Sequence, residues 1–432
     1  MGRCTVAQFA NRIKCVLSPT LVNDLGRRIG FCYRERLMTP YRLVLSLLAS
    51  HTMGPVETLA DIHRQFNALF AMTVAYKPFH NQLSKATFAD LMREVLCVIL
   101  QHWVVEVLRP KAHGPLSEFG RILIQDGSSF ALKDALHEHY PGRFHKQNPA
   151  AVELHVTMSL LDESVSTVTL TPDTAAERPH LPCPETLCGD LLLADRGYFD
   201  RTYLSAVNRT GGHYVVRASA SINPVVRNAF DSRGEELSEA SGQRLNECVL
   251  PSDGVVDLDV VWGTGAKALE GRIVAHWNAE EGRYTWLVTN LSRARMTGEQ
   301  VGQVYRLRWQ VELLFKEWKS YANLHAFDTS NASIAEGLIW TAIAASILKR
   351  YLGQMTQALR GVEISTRKVA MCARHGLGEV FGVLASGKHR GLTRALQDLV
   401  DYLAANARRA HPKRDRKKGR LQFGLEPVFI NS

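Results

Sequence analysis

The sequence predicts an α/β protein, a mixed sheet flanked by helices, with a helical N-terminal domain and an inserted β-subdomain. Three observations carry this. Apolar residues recur at helical spacing through the N-terminal quarter of the chain. Short apolar runs of strand type, closed by turn-forming residues, begin after Gly120. A long amphipathic helical pattern then returns after Thr297. The 432 residues are 46% hydrophobic, enough for packed cores in more than one domain. The expected division is a helical domain at 1–115, a sheet domain at 116–350 with the β insertion at about 220–295, and a helical C-terminal region at 351–432 ending in a basic tail.

In the first domain the apolar periodicity predicts helices over Tyr41–Leu48, Leu59–Phe70 and Phe88–Val104. Arg27, Arg28, Arg34, Arg36 and Arg42 lie ahead of or within the first of them. Pro55, the run Thr58–Phe66 and a second run opening at Ser84 fit a helix-turn-helix DNA reader. The same spacing fits an ordinary helical bundle equally well.

In the second domain, Ile122–Ile124 reads as a short buried strand ending at Gln125-Asp126-Gly127. Glu153–Leu161 and Val165–Leu170 form a hairpin around Asp162-Glu163-Ser164. After a proline-rich connection, Leu191–Ala194 is a buried strand ending at Asp195-Arg196-Gly197, and His213–Arg217 is a further strand. Val255–Trp262, Arg272–Trp277 and Tyr284–Asn290 read as a separate β-subdomain rather than more of the same sheet. Thr297 and Gln300 have capping-box spacing and open one helix running to about Tyr321. Helices resume over Ile334–Leu352 and Leu392–Ala407.

Charge points to a polyanionic partner. The formal net charge is +10, and Arg408–Arg420 holds eight Lys/Arg against one Asp, a tail suited to phosphates. The eight cysteines are scattered, which fits a reducing cytosol rather than a disulfide scaffold. Cys183, Cys188 and His180 lack a second ligand pair at finger-like spacing, which argues against structural zinc. Arg3, Arg12 and Lys14 interrupt any secretory signal. The longest uncharged apolar stretch, Gly337–Leu348, is twelve residues, short of the roughly 20 a membrane span needs. A soluble, cytoplasmic protein is expected.

The helix after Thr297 is the most informative segment. At about 100° per residue with Tyr305 at zero, Arg308 falls near 300°, Lys319 near 320°, Glu312 near 340° and Lys316 near 20°. Val304, Leu307, Val311, Leu314, Phe315 and Trp318 occupy about 180–280°, while Glu317 points elsewhere, near 120°. A polar stripe therefore borders an apolar face, although i,i+4 pairing of Glu312 with Arg308 and Lys316 would also account for it. Asp126 and Asp195 change the balance, because strand ends in open sheets project short side chains into a crevice. Two such aspartates and one helical glutamate are three hard oxygen donors, a set suited to Mg²⁺ or Mn²⁺.

The spacing Tyr305-x2-Arg308-x3-Glu312-x6-Lys319 resembles the YREK signature of bacterial insertion-sequence transposases of the fourth family. Gln125-Asp126-Gly127 and Asp195-Arg196-Gly197-Tyr198 resemble the surroundings of that family's two aspartates. The resemblance spans roughly residues 120 to 350. It implies an RNase H-like catalytic domain with Asp126, Asp195 and Glu312 as a DDE triad holding two metal ions. It also implies contacts from Tyr305, Arg308 and Lys319, with Lys316 beside them, to the cleaved transposon end, and a DNA-binding role for the helical N-terminal domain. Similar enzymes cut element ends and join the 3′ hydroxyl to target DNA, as homodimers on paired double-stranded ends. In them an aromatic of the β insertion stacks on a flipped base. Trp286 or Tyr284 is the counterpart here unless both are strand core, and Trp309 is a further aromatic beside the stripe. A nuclease without strand transfer would share the carboxylates. A non-enzymatic derivative would have lost one, and none is lost.

Overall fold

The computed structural model describes residues 5–34, 36–53, 56, 58–102, 111–112, 114–160, 164–263, 269–321, 329–410 and 425–426. Pro55, Asp162, Glu163 and the tail from residue 411 to Arg420 lie outside the described residues.

Among the described residues six helices come first: α1 Val6–Val16, α2 Pro19–Arg28, α3 Pro40–Met53, α4 Leu59–Phe70, α5 Tyr76–Leu83 and α6 Thr87–His102. The expected helices over 41–48, 59–70 and 88–104 correspond to α3, α4 and α6. Helix α5 comes between the two runs read as a helix-turn-helix, and Ser84 is its C-cap. A single turn therefore does not join those runs.

A two-residue strand β1, Lys111–Ala112, precedes the main sheet. That sheet is built from β2 Ile122–Ala131, β3 Ala151–Ser159, β4 Val165–Pro172 and β5 Leu191–Ala194. Helix α7 Arg201–Arg209 follows, then β6 His213–Ala218, β7 Val225–Phe230, β8 Val255–Trp262, β9 Leu269–Asn278 and β10 Arg283–Thr289. The nine strands lie in the order β4-β3-β2-β5-β6-β10-β9-β8-β7. Among the described residues only β2–β5 and β5–β6 pair in parallel. The expectation of a separate β-subdomain is corrected here: β10 pairs with β6 from Trp286↔Ala218 to Thr289↔Val215, so the insertion widens the same sheet. β8, β9 and β10 pair antiparallel in chain order, β8 with β9 and β9 with β10.

Helices α8 Gly298–Arg306 and α9 Gln310–Tyr321 are separated by a 3-10 turn, Leu307–Trp309, so the expected single helix is broken. Thr297 caps it in a full capping box with Gln300. The chain closes with α10 Ala332–Arg360, α11 Thr366–Cys372, α12 Arg374–Ala385 and α13 Leu392–Asn406, and a strand β11 Leu425–Glu426 that pairs with β1.

Alternation along the strands divides two cores. Ile122, Ile124, Leu191, Leu193, Val215 and Leu287 point into the larger core, shared with α8–α10 and the N-terminal helices. Leu123, Leu192, Ala194, Val216 and Val288 point into the smaller one, shared with Leu204 and Val207 of α7. Helix α10 is the axis of the helical layer and packs on α3, α6, α11 and α13. It approaches α6 closely because residue 337 is glycine, and a Cβ there would overlap the Phe88 ring. At 29 residues α10 is long and apolar enough to cross a membrane, contrary to the shorter stretch read from sequence. Its most apolar window is 83% buried inside the protein, as in a core helix.

Candidate active site

Sheet register brings the two aspartates together. The parallel pairing of β2 with β5 runs from Ile122↔Leu191 to Gln125↔Ala194. One step further, Asp126 and Asp195 sit side by side on neighbouring strands, which are about 4.8 Å apart. β5 is apolar and buried throughout, as a parallel strand covered on both faces must be. Asp195 follows its last residue, at a strand tip as expected. Asp126 does not. It lies inside β2, which continues to Ala131 because Gly127, Ser128 and Ser129 keep pairing with His155, Leu154 and Glu153 of β3. The turn-forming composition of 127–129 suggests an end, and pairing with β3 overrides it.

Helices α8 and α9 lay Val304, Leu307, Val311, Leu314, Phe315 and Trp318 on the core and turn the polar stripe toward the aspartates. Tyr305 Oη donates to Asp195 Oδ1 at 3.0 Å. Arg308 Nη1 donates to Asp126 Oδ2 and Nη2 to Glu312 Oε1 at 3.0 Å. One guanidinium thus joins the first aspartate to the glutamate. Lys319 Nζ donates to the Ser129 carbonyl at 2.7 Å. Asp126, Asp195, Arg308, Glu312, Lys316 and Lys319 line one open cleft of about 510 Å³.

Burial sets the electrostatics. It pushes the Asp126 carboxyl up to about 6, with the Arg308 charge and the Gly127 N–H holding it from rising further. Burial acts against the charge on Arg308, but Asp126, Tyr305, Asp195 and Glu312 outweigh it and hold the guanidinium above its ordinary range. Burial lowers Lys319. It raises Tyr305, together with the neighbouring Asp195 charge, so the phenol stays a donor. The buried Nε of Arg308 has no hydrogen-bond partner among the described residues, a donor that a phosphate oxygen would satisfy.

Trp286 is not brought to this cleft. It pairs with Ala218 and packs on the smaller core, on the opposite sheet face, where its ring lies 5.1 Å from Tyr284. Tyr284 in turn meets Trp277 edge-on at 5.0 Å. Trp309, on the turn that carries Arg308, is 58% exposed. Cys183 donates to Glu185, and His180 stacks on His155. Sequence reasoning missed Arg217, whose Nη1 is 3.8 Å from Asp195 Oδ1. It ends the strand read as His213–Arg217, beside β5, and the strand-tip logic applied to the aspartates would have found it.

The three carboxylates are the hard oxygen donors that Mg²⁺ and Mn²⁺ prefer. As the side chains stand, no three His, Cys, Asp or Glu residues among those described are disposed around one ion. Arg308 stands between Asp126 and Glu312, bonded to both.

The family model described as "Transposase DDE domain" matches residues 117–348. The transposase for insertion sequence element IS231F of Bacillus thuringiensis subsp. israelensis is 21% identical over 93% of this chain and 92% of its own length. The transposase for IS1151 of Clostridium perfringens is 22% identical over 47% of this chain and 50% of its own. The putative transposase InsL for IS186A of Escherichia coli K12 is 35% identical over a shorter stretch, 18% of this chain and 21% of its own.

Proposed function

We propose, for a chain that belongs to the DDE transposase family and is therefore an enzyme of DNA transposition, that Asp126, Asp195 and Glu312 form its catalytic triad. One observation supports this best. A single cleft gathers two aspartates from adjacent parallel strands and a glutamate from a distant helix, with Arg308 and Tyr305 bonded to them.

Two Mg²⁺ or Mn²⁺ ions held by these acids would activate the attacking water or 3′ hydroxyl and stabilise the leaving oxygen of an in-line displacement. The residues around them do the positioning. Arg308 can turn its guanidinium from the carboxylates to a phosphate beside the cut, in the fork geometry that suits phosphate oxygens. Its unsatisfied Nε supplies a further donor. Lys319 and Lys316, on the same cleft, would hold neighbouring phosphates of the backbone. Tyr305 fixes the Asp195 carboxylate by donating to it. The sheet domain would be RNase H-like, and the helical N-terminal region would grip the element end. Two copies would work on paired ends in the bacterial cytoplasm.

The test is a labelled element end incubated with the protein and Mg²⁺. Nicking followed by joining to a target duplex is the expected result. Nicking without any joining would favour a metal-dependent nuclease, and binding without nicking would remove the enzymatic reading.

Arg308 gives a sharper outcome. In the free protein its charge competes with metal for Asp126 and Glu312, so Arg308→Ala should bind Mn²⁺ more tightly, by about tenfold, comparable to a neighbouring cation's effect on a carboxylate. The same variant loses its phosphate grip and should cut about 10²-fold more slowly. Calorimetry and nicking rates check the two halves, and weaker Mn²⁺ binding would contradict the competition.

A further inference from the structure

Behind the cleft, on the opposite face of the sheet, lies a second group of ionisable side chains. Glu153 of β3 is buried, 5% exposed, and its carboxylate presses on the backbone just after Asp126. A Cβ on Gly127 would stand 2.6 Å from Glu153 Oε1 and 3.1 Å from Tyr198 Oη. The segment after Asp195 is treated the same way, since a Cβ on Gly197 would overlap the Glu177 carboxylate.

Arg143 connects the two. Its Nη2 is 3.4 Å from Glu153 Oε2 and 3.9 Å from Glu177 Oε1. It also donates to the Asp173 carbonyl at 3.0 Å. The Arg143 backbone N–H donates to Asp173 Oδ2 at 3.0 Å, and Asp173 Oδ1 accepts from Ser129 Oγ, further along β2. Tyr198, three residues after Asp195, shares a 3.0 Å hydrogen bond with His155, and His155 another of 3.0 Å with Thr171. Burying two acids, Glu153 and Asp173, beside a third, part-buried one, Glu177, is costly, and apolar residues of similar volume at buried positions are often as stable or more so. Burial and the Glu177 charge together push Glu153 up to about 7. Such an arrangement calls for a reason beyond packing.

We infer that Arg143, with Glu153 and Glu177, is a positioning cluster for strand cleavage, fixing from behind the sheet the two backbone segments that carry Asp126 and Asp195. This rests on reading those aspartates as the metal-holding acids. The two glycines after them have a physical role here: residue 127 and residue 197 lack a side chain so that a carboxylate can bear directly on the main chain. Arg143 does not line the cleft and acts through the aspartates alone.

The side chain of Arg143 is about half exposed, 48%, so truncating it leaves the apolar cores intact. The test compares full-length wild type, Arg143→Ala and Arg143→Lys, with Asp126→Ala as reference. Mn²⁺ binding is read from the free-ion paramagnetic resonance signal, and nicking from single turnovers on a labelled end across DNA concentrations. Arg143→Ala should weaken Mn²⁺ binding and lower the maximal rate by about 10- to 100-fold, the usual cost of losing a group that orients metal ligands. Half-saturation by DNA should not move. Arg143→Lys keeps the charge without the fork and should fall between. Mn²⁺ binding and rate like wild type would overturn the inference. So would a loss matched by equal weakening of DNA binding, or equal losses in the Lys and Ala variants with a lowered melting temperature. Cleavage by Asp126→Ala would instead remove the reading beneath it.

Discussion

Asp195→Ala is expected to bind element-end DNA as wild type does and to nick it on the order of 10³-fold more slowly, since metal-borne charge stabilisation is worth several kcal/mol. The fold should tolerate the change. Asp195 stands just past β5, its side chain is 36% exposed, and β5 itself is held by apolar residues on both faces. What the substitution removes is local: the acceptor for Tyr305 Oη and the partner of Arg217. Both donors can turn to water, so the loss should appear in the rate and not in the melting temperature. Gel shifts in Ca²⁺ and nicking in Mg²⁺ separate the two quantities. A rate within tenfold of wild type would take Asp195 out of the chemistry. Asp126→Ala is less clean for the same measurement. It takes one of two bonded carboxylates from a largely buried guanidinium, and a change in stability would accompany the change in rate.

The parts of this site that were legible in the sequence are those that short-range pattern controls. Leu191–Ala194 followed by Asp195 is an uninterrupted apolar strand with an acid at its tip, and the Tyr305–Lys319 stripe has helical spacing, so both could be placed before any coordinates. Asp126 reads from sequence as a strand end and stands inside β2 in the structure, since Gly127, Ser128 and Ser129 can form a turn or a ladder. Pairing with β3 decided for the ladder. The continuity of the insertion with the main sheet depends on β10 lying against β6, a pairing between segments about seventy residues apart that no local signal encodes. The cluster behind the sheet was invisible for a related reason. Alternating Glu153, His155 and Thr157 with Val152, Leu154 and Val156 is the pattern of a strand with one wet face, yet every residue of β3 is buried. Arg143, Asp173 and Glu177, which cover that face, come from loops.

Glu317→Ala should lower stability by about 3–5 kcal/mol, the cost of removing one member of a buried ion pair. Helical phase put Glu317 away from the active stripe, on what could have been a solvated side of α9. The structure buries it at 6% exposure against α10, with its Oε2 3.3 Å from Arg350 Nη1. Lys349 is beside them, donating to the His51 carbonyl at 3.3 Å, and burial lowers its ammonium to about 8 while Glu317 acts in the opposite direction. Because the folded value lies below the ordinary 10.5, the native protein gains stability as pH rises from about 8 toward that value. Without Glu317 the Lys349 value drops further. The share of the deficit that belongs to Lys349 is therefore present in full below the variant's lowered value, where Lys349 is protonated in both proteins, and fades between that value and about 8. The Arg350 share stays constant, since a guanidinium does not titrate in this range. Denaturant unfolding of both proteins at pH 6 and pH 9 should show a deficit at each pH, smaller at the higher one. A deficit under about 1 kcal/mol would class the pair with exposed salt bridges. The consequence for catalysis follows from place: Glu317 is on the helix that presents Glu312 and Lys319. Loosening its hold on α10 should slow nicking at temperatures where the variant is still folded, by letting those two residues drift from the aspartates on the sheet.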